Sequence, residues 1–244
     1  MDDRTVGQDP KTVEKSLEGT LPWLVPSGLA AEALAALDRP LLAWIQDPKY
    51  NEFDSADFYA EHREAGDKLS KLERRIAKLP VRQSWRMERV WTPDEESSEA
   101  YEAAYEKASV TIGDRRLHPR DLDAYATIAY EVAGLHQEED EDGFDDEDDG
   151  QGEVPGELDA ALEWARAGVC VLQQSLPWPF TDVLLYSELD NRPAHRILYC
   201  YADLLRRRDP KAAAVWFTAL VYLNPNDNLG ARFIAPGGPQ YPGF

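Results

Sequence analysis

The stretch Asn191–Pro236 constrains the fold of this chain more than any other. It reads NRPAHRILYCYADLLRRRDPKAAAVWFTALVYLNPNDNLGARFIAP. Ile197, Leu198, Tyr201, Leu204 and Leu205 recur at steps of three and four, the period of one helix face. Asn191 is expected to cap this helix, with Pro193 in the first turn, where proline's missing N–H costs nothing. Asp209-Pro210 starts a second helix almost at once, with Ala213, Trp216, Phe217, Leu220, Val221 and Leu223 as its apolar positions. So short a connection makes the two helices antiparallel neighbours. Asn224-Pro225 closes the second helix, and Asn226-Asp227-Asn228 turns the chain into a third, short segment.

The preceding residues read as further helices. Residues 1–20 lack periodicity and are expected to form a mobile arm, and 21–136 a helical region. Leu21–Val25 is an apolar plug, stiffened by Pro22, that should dock on the body. Ser27 is placed to cap a first helix carrying Leu29, Ala33, Leu34 and Leu37, and Asp38-Arg39-Pro40 breaks it. A second short helix is expected through Leu41, Leu42, Trp44 and Ile45. A long one should run from Asp54 or Ser55 to Lys78, carrying Phe58, His62, Leu69, Leu72 and Ile76. Val81–Trp91 alternates partly at period two, so it is either a strand or an extended crossing segment. Thr92-Pro93-Asp94-Glu95 has the spacing of a capping box, and the helix it opens should stop at Gly113. Pro119 opens a stripe of Leu122, Tyr125, Ile128, Ala129, Val132 and Leu135. A further helix spans Leu158 to Leu172. The Pro-interrupted segment Ser175–Asp190 is too apolar for a free loop, so it should lie across helices with Trp178 and Phe180 buried. The fold class expected is all-α, built of antiparallel hairpins, with β or extended structure confined to residues 81–91. Residues 157–244 form the second helical region, and 21–244 could pack as one domain.

Charge narrows the partners. The chain carries 26 basic and 46 acidic residues, a net −20. Nucleic-acid backbones and anionic membrane surfaces would be repelled at long range, so a protein partner is expected, and a basic partner, or no charged partner at all, is the natural counterpart. Ten of the twelve residues in Glu138–Asp149 are acidic. Such a block repels itself, so 137–156 is expected to be a disordered loop between the helical regions. No apolar run reaches the ~20 residues of a membrane span. The polar N-terminus does not resemble a secretory signal. Cys170 and Cys200, isolated in apolar helical patterns, read as buried free thiols in a reducing, cytoplasmic setting.

The C-terminal stretch resembles a tetratricopeptide repeat. Ala213, Phe217 and Pro225 match the spacing at which that family sets a small residue, an aromatic and a closing proline on and after its second helix. The first helix matches less closely, with Ala202 near the small-residue position. The corner Leu223–Asn228, with Gly230 and Arg232, and the Asn191-Arg192-Pro193 start with Arg196 look similar to bacterial repeat proteins related to the suppressor-of-tumorigenicity group. The chain departs from that group at Leu229, where it places glutamine. The resemblance implies a fragment of an α–α solenoid that binds protein or peptide on a concave face. So few repeats are rarely stable alone, so the N-terminal helices or a partner must cap them.

Asp145, Glu147, Asp149 and Gly150 match early positions of a calcium loop, but the closing position is Gly156, not glutamate, which stands one later as Glu157. Cys170 and Cys200 lie too far apart in sequence for a short-spaced zinc motif, and His62, His118, His136 and His195 are scattered. His195 and Cys200, five apart on one helix, point to different faces. Glu61 and Glu64 beside His62 read as a solvated helix face. No phosphate loop, nucleophile elbow or paired-histidine zinc motif occurs, so no catalytic, cofactor or metal residue is assigned. Asn226, Asp227 and Asn228 have an ordinary explanation as caps and turn ties. In the functional alternative they rim a binding groove with Arg192 and Arg232. The function expected is a non-enzymatic protein-interaction module. The alternatives are an acidic, antitoxin-like inhibitor masking a partner's basic nucleic-acid site, or an enzyme of unrecognised class.

Overall fold

The computed structural model of the chain describes residues 20–37, 42–46, 52–61, 68–89, 98–135, 155–177 and 179–239. Its first half contains α1 (Leu29–Ala35), β1 (Leu42–Gln46), β2 (Glu52–Phe53), α2 (Ser55–Glu61), α3 (Lys71–Ile76), β3 (Arg82–Gln83), β4 (Trp85–Arg89), α4 (Ser98–Ala108), β5 (Val110–Ile112), β6 (Arg115–Leu117) and α5 (Leu122–Val132). Its second half contains α6 (Pro155–Gln173), a 3-10 turn (Leu189–Asn191), α7 (Arg192–Arg208), α8 (Pro210–Leu223) and α9 (Ala231–Ile234). The fold is mainly helical, with small antiparallel sheets.

Helix α7 is the centre. Tyr199 meets Phe217 and Tyr201 meets Trp216 edge-on, with ring centroids 5.6 and 5.0 Å apart. Rising numbers on α7 pair with falling numbers on α8, so the two run antiparallel, joined by Asp209 alone. That carboxylate accepts the N–H groups of Lys211 and Ala212, both at 3.0 Å, and caps α8 as expected. On another side α6 also runs antiparallel to α7: Ile197 lies over Gly168, and Arg208 pairs with Asp159. Helix α5 runs parallel to α7, since Asp123 pairs with Arg196 and the Ala126 carbonyl faces the Cys200 thiol. Gly168 is the meeting point of three helices. A Cβ there would sit 2.6 Å from Ile197 Cδ1 and 2.8 Å from Tyr125 Cβ, so only glycine permits so close an approach. Buried residues from Leu21 to Ala235 join one apolar core.

The expected plug is in place: Leu21 is buried, its N–H bonds the Phe180 carbonyl, and Gln173 holds the backbone of Pro22 and Leu24. Ser175–Asp190 also lies across the helices, with Phe180, Val183 and Leu184 buried; Trp178 is outside the described residues. This strap runs beside β3 and β4. Val183 exchanges hydrogen bonds with Gln83 and Trp85, and the Leu184 N–H reaches the last turn of α8 at Leu223.

The structure corrects several expectations. Leu42–Gln46 is a strand, not a helix: β1 pairs antiparallel with β4, from Leu42 opposite Arg89 to Gln46 opposite Trp85. Of Val81–Trp91, the described residues contain the strands β3 and β4, β3 pairing separately with β2; Val90 and Trp91 lie outside the described residues. The long helix from Ser55 to Lys78 is not continuous. Ser70 and Glu73 form a reciprocal capping box, which marks a fresh N-terminus for α3. Gly28, not Ser27, occupies the N-cap of α1. Gly113 does not stop a helix; α4 ends at Ala108, and Gly113 (φ 56) leads the two-residue turn of the β5–β6 hairpin. The all-α expectation thus gives way to a mainly helical fold with three two-stranded sheets among the described residues. Helix α6 begins at Pro155, inside the range assigned to the acidic loop. The N-terminal arm, the Thr92 capping box and the acidic block lie outside the described residues, Thr20 excepted. Among the described residues, no helix is long and apolar enough to cross a membrane.

Candidate functional site

The face of α7 that is left between its neighbours presents Arg192, Arg196, Tyr199, Asp203 and Arg206, at alternating steps of four and three. That spacing keeps all five on one stripe. Helix α5 presents Asp123, Ala126, Thr127 and Tyr130 beside it by the same rule. The corner after α8 adds Leu229. Arg196 and Tyr199 of the stripe, the four α5 residues and Leu229 enclose an open groove of about 300 Å³. Its floor is aromatic and apolar. An ion pair stands in its wall: the Arg196 guanidinium lies 3.3 Å from both carboxylate oxygens of Asp123. At the far end of the stripe, Asp203 is paired with Arg206 at 2.9 Å. Burial raises the Tyr130 and Tyr199 hydroxyls above the ordinary phenol range, and Asp203 adds to both shifts, so both rings are neutral.

The five residues singled out from the sequence do not line this groove. Arg192 donates from Nε to the Tyr186 carbonyl and lies over that ring, 5.0 Å from its centroid. Asp227 is buried at the corner with φ 47, and its two oxygens accept the N–H groups of Ala231 and Arg232 at 2.8 and 2.7 Å. Burial pushes its carboxyl up to about 6, against the pull of those N–H groups and of the Arg232 charge. Arg232 has its Nε 3.7 Å from Asp227 and its guanidinium over Phe233. Asn228 Oδ1 accepts from both Asn224 and Asn226. The corner is therefore tied by its own side chains. Its contribution to the groove is Leu229.

Asn191 does something other than cap α7. It makes no capping hydrogen bond. Fully buried, its Oδ1 accepts from the Met87 N–H at 2.9 Å, and its Nδ2 donates to the carbonyls of Trp85 and Leu185 at 2.9 and 3.1 Å. One carboxamide thus satisfies a donor and an acceptor on the edge of β4 as a peptide group of a third strand would. Nearby, His195 Nε2 donates to the Leu184 carbonyl at 2.6 Å, and burial lowers its pKa to about 4, so it is neutral near pH 7. Cys200 bonds the Ala126 carbonyl on a different face, and burial pushes its thiol up to about 12 and that of Cys170 to about 11. His118 is buried and accepts the Arg120 N–H at Nδ1. Among the described residues, no three His, Cys, Asp or Glu side chains are grouped to hold a metal ion. The groove offers rings, aliphatic carbon, hydroxyls and one exchangeable ion pair, the materials of noncovalent recognition.

Sequence reasoning missed the groove because α5 and α7 carry it jointly. The stripe periodicity on each helix was legible, but their pairing was not. No protein-family model, curated protein or solved structure matches the chain.

Proposed function

We propose that this protein is a non-enzymatic interaction module that receives a segment of a partner protein in the groove between α5, α7 and the Leu229 corner. The observation that carries this reading is the groove itself: an aromatic floor from two helices with an ion pair in its wall. Interfaces draw their affinity from such half-buried aromatic anchors. A tetratricopeptide-like arrangement is part of the proposal. Its support is the tight α7–α8 hairpin, the burial of Ala213, Phe217 and Pro225 at the matching positions, and the groove's place on the first helix of that hairpin.

A photo-crosslinking residue placed at exposed Thr127 tests the proposal. A discrete protein adduct is expected from Thr127 and not from a control at exposed Lys211. Equal labelling at the two positions, or none at Thr127, would overturn it. The net charge of −20 supports a second reading, in which the acidic surface masks a basic nucleic-acid-binding site on the partner. Deleting Glu138–Asp149 should then weaken the complex and flatten its salt dependence, whereas a groove-centred complex would keep most of its affinity.

A further inference from the structure

The groove reading leaves open what kind of side chain enters. Two of the groove's lining residues, Tyr130 and Tyr199, are half-buried aromatic rings, and a tyrosine face attracts a cation. Ala126 and Leu229 add aliphatic surface on which the methylene stem of a long side chain can lie. Acidic groups stand beside two arginines of the stripe: Asp123 next to Arg196, and Asp203 next to Arg206. The Asp123–Arg196 pair is half exposed and worth roughly 0–1 kcal/mol, so a cation from outside can exchange with Arg196 at little cost. Within the groove lining, Asp123 and Arg196 balance. The wider field decides the sign, and with 46 acidic against 26 basic residues it attracts a cation and repels an anion.

Resting on the groove reading, we infer that the occupant is a basic segment of another protein, with one lysine or arginine side chain laid between Tyr130 and Tyr199. An acidic segment would meet the opposing field. A purely aliphatic anchor would gain nothing from that field.

The test uses the full chain and three fluorescein-labelled peptides of equal length: one of lysine, arginine and alanine, and two in which glutamine or glutamate replaces the basic residues. Binding is read by anisotropy at about 10 mM salt, where the Debye length of roughly 30 Å lets the chain's field reach the peptide. The basic peptide should bind, the glutamine peptide more weakly and the glutamate peptide not detectably. Thr127→Trp, which fills the groove from an exposed edge, should weaken the basic peptide at least tenfold. Leu229→Arg should weaken the basic peptide more than the glutamine one. If Thr127→Trp leaves basic binding unchanged, the attraction is field alone and the inference is overturned. If the glutamine peptide binds as tightly and loses affinity equally in Thr127→Trp, the charge preference falls while the groove reading stands. If no peptide binds, both fall. A dimer in sedimentation that Thr127→Trp dissolves would make the occupant a second copy of this chain, which also overturns the inference.

Discussion

Replacing Asn191 by alanine would remove one side chain and strand two backbone groups, the Met87 N–H and the Trp85 carbonyl; the Leu185 carbonyl keeps the Glu188 N–H at 3.2 Å. The Met87 N–H and the Trp85 and Leu185 carbonyls all lose the carboxamide that now serves them, at a site with no solvent exposure. A buried polar group left without a partner costs roughly 1–3 kcal/mol. The N–H has the least freedom to find another acceptor, and the carbonyls can recover part of their loss. A total of about 3–5 kcal/mol follows, a large share of the stability of an ordinary domain. Urea unfolding followed by tryptophan fluorescence should show the midpoint falling with an unchanged slope. The decisive comparison is Asn191→Asp. If Asn191 were an ordinary N-cap, aspartate would substitute almost without loss, since the two cap about equally well. As the completing edge of β4, aspartate keeps the acceptor for Met87, loses both donors and brings a charge into a buried site. It should therefore be at least as damaging as alanine at neutral pH. Asn191→Asp within about 0.5 kcal/mol of the wild type would refute the strand-completion account.

Gly168→Ala should destabilise despite alanine's helix-propensity advantage of about 1 kcal/mol. Ile197 Cδ1 can swing aside, but Tyr125 Cβ is fixed to the α5 backbone, so overpacking of about 2–3 kcal/mol should leave a net loss of about 1–2 kcal/mol in the same assay. Asp209→Ala removes the acceptor for two N–H groups of α8 and should cost about 1 kcal/mol, with Asp209→Ser recovering most of it. Two buried groups pull the pH profile in opposite directions. The folded state lowers His195 from 6.5 to about 4, so its contribution of about 3 kcal/mol is complete above 6.5 and is lost as pH falls through that window. Asp227 is raised from 3.8 to about 6, so the fold holds that proton more tightly than the unfolded chain, and stability is lost as pH rises from 3.8 through 6. The two largely offset between pH 4 and 6. Asp227→Asn should remove one limb, and its urea midpoint should fall more steeply than the wild type's on acidification from 6 to 4. Parallel profiles would contradict the opposition.

What the sequence disclosed were the features written locally. The α7–α8 hairpin was legible because its periodicity, its Asp209 cap and its Pro225 stop lie within one stretch. Leu42–Gln46 was misread because a short apolar run has no period to distinguish strand from helix, and its partner at Trp85–Arg89 lies forty residues away. Gly113 was read as a helix end because glycine serves helix stops and hairpin turns alike, and Val110–Leu117 is too short to display an alternation. Asn191 was placed correctly at the start of a helix, yet its chemistry is directed at a strand more than a hundred residues earlier. The groove was hidden for the same reason. Its lining comes from two helices and Leu229, and the close approach of the helices at Gly168 carries no signal in the chain itself.

Asn191 also determines where this molecule can be divided. The stretch with the repeat-like pattern looks separable, as repeats usually are, because a solenoid unit presents similar faces to whichever neighbour it meets. Here the faces are particular. A piece beginning at α6 would carry a carboxamide shaped for Met87 and Trp85 with neither present, and a Cys200 thiol facing the missing Ala126 carbonyl. Such a fragment could not be grafted into another array or lengthened by duplication without remaking that flank. Whatever the ancestry of the hairpin, its present sequence is committed to a single set of neighbours.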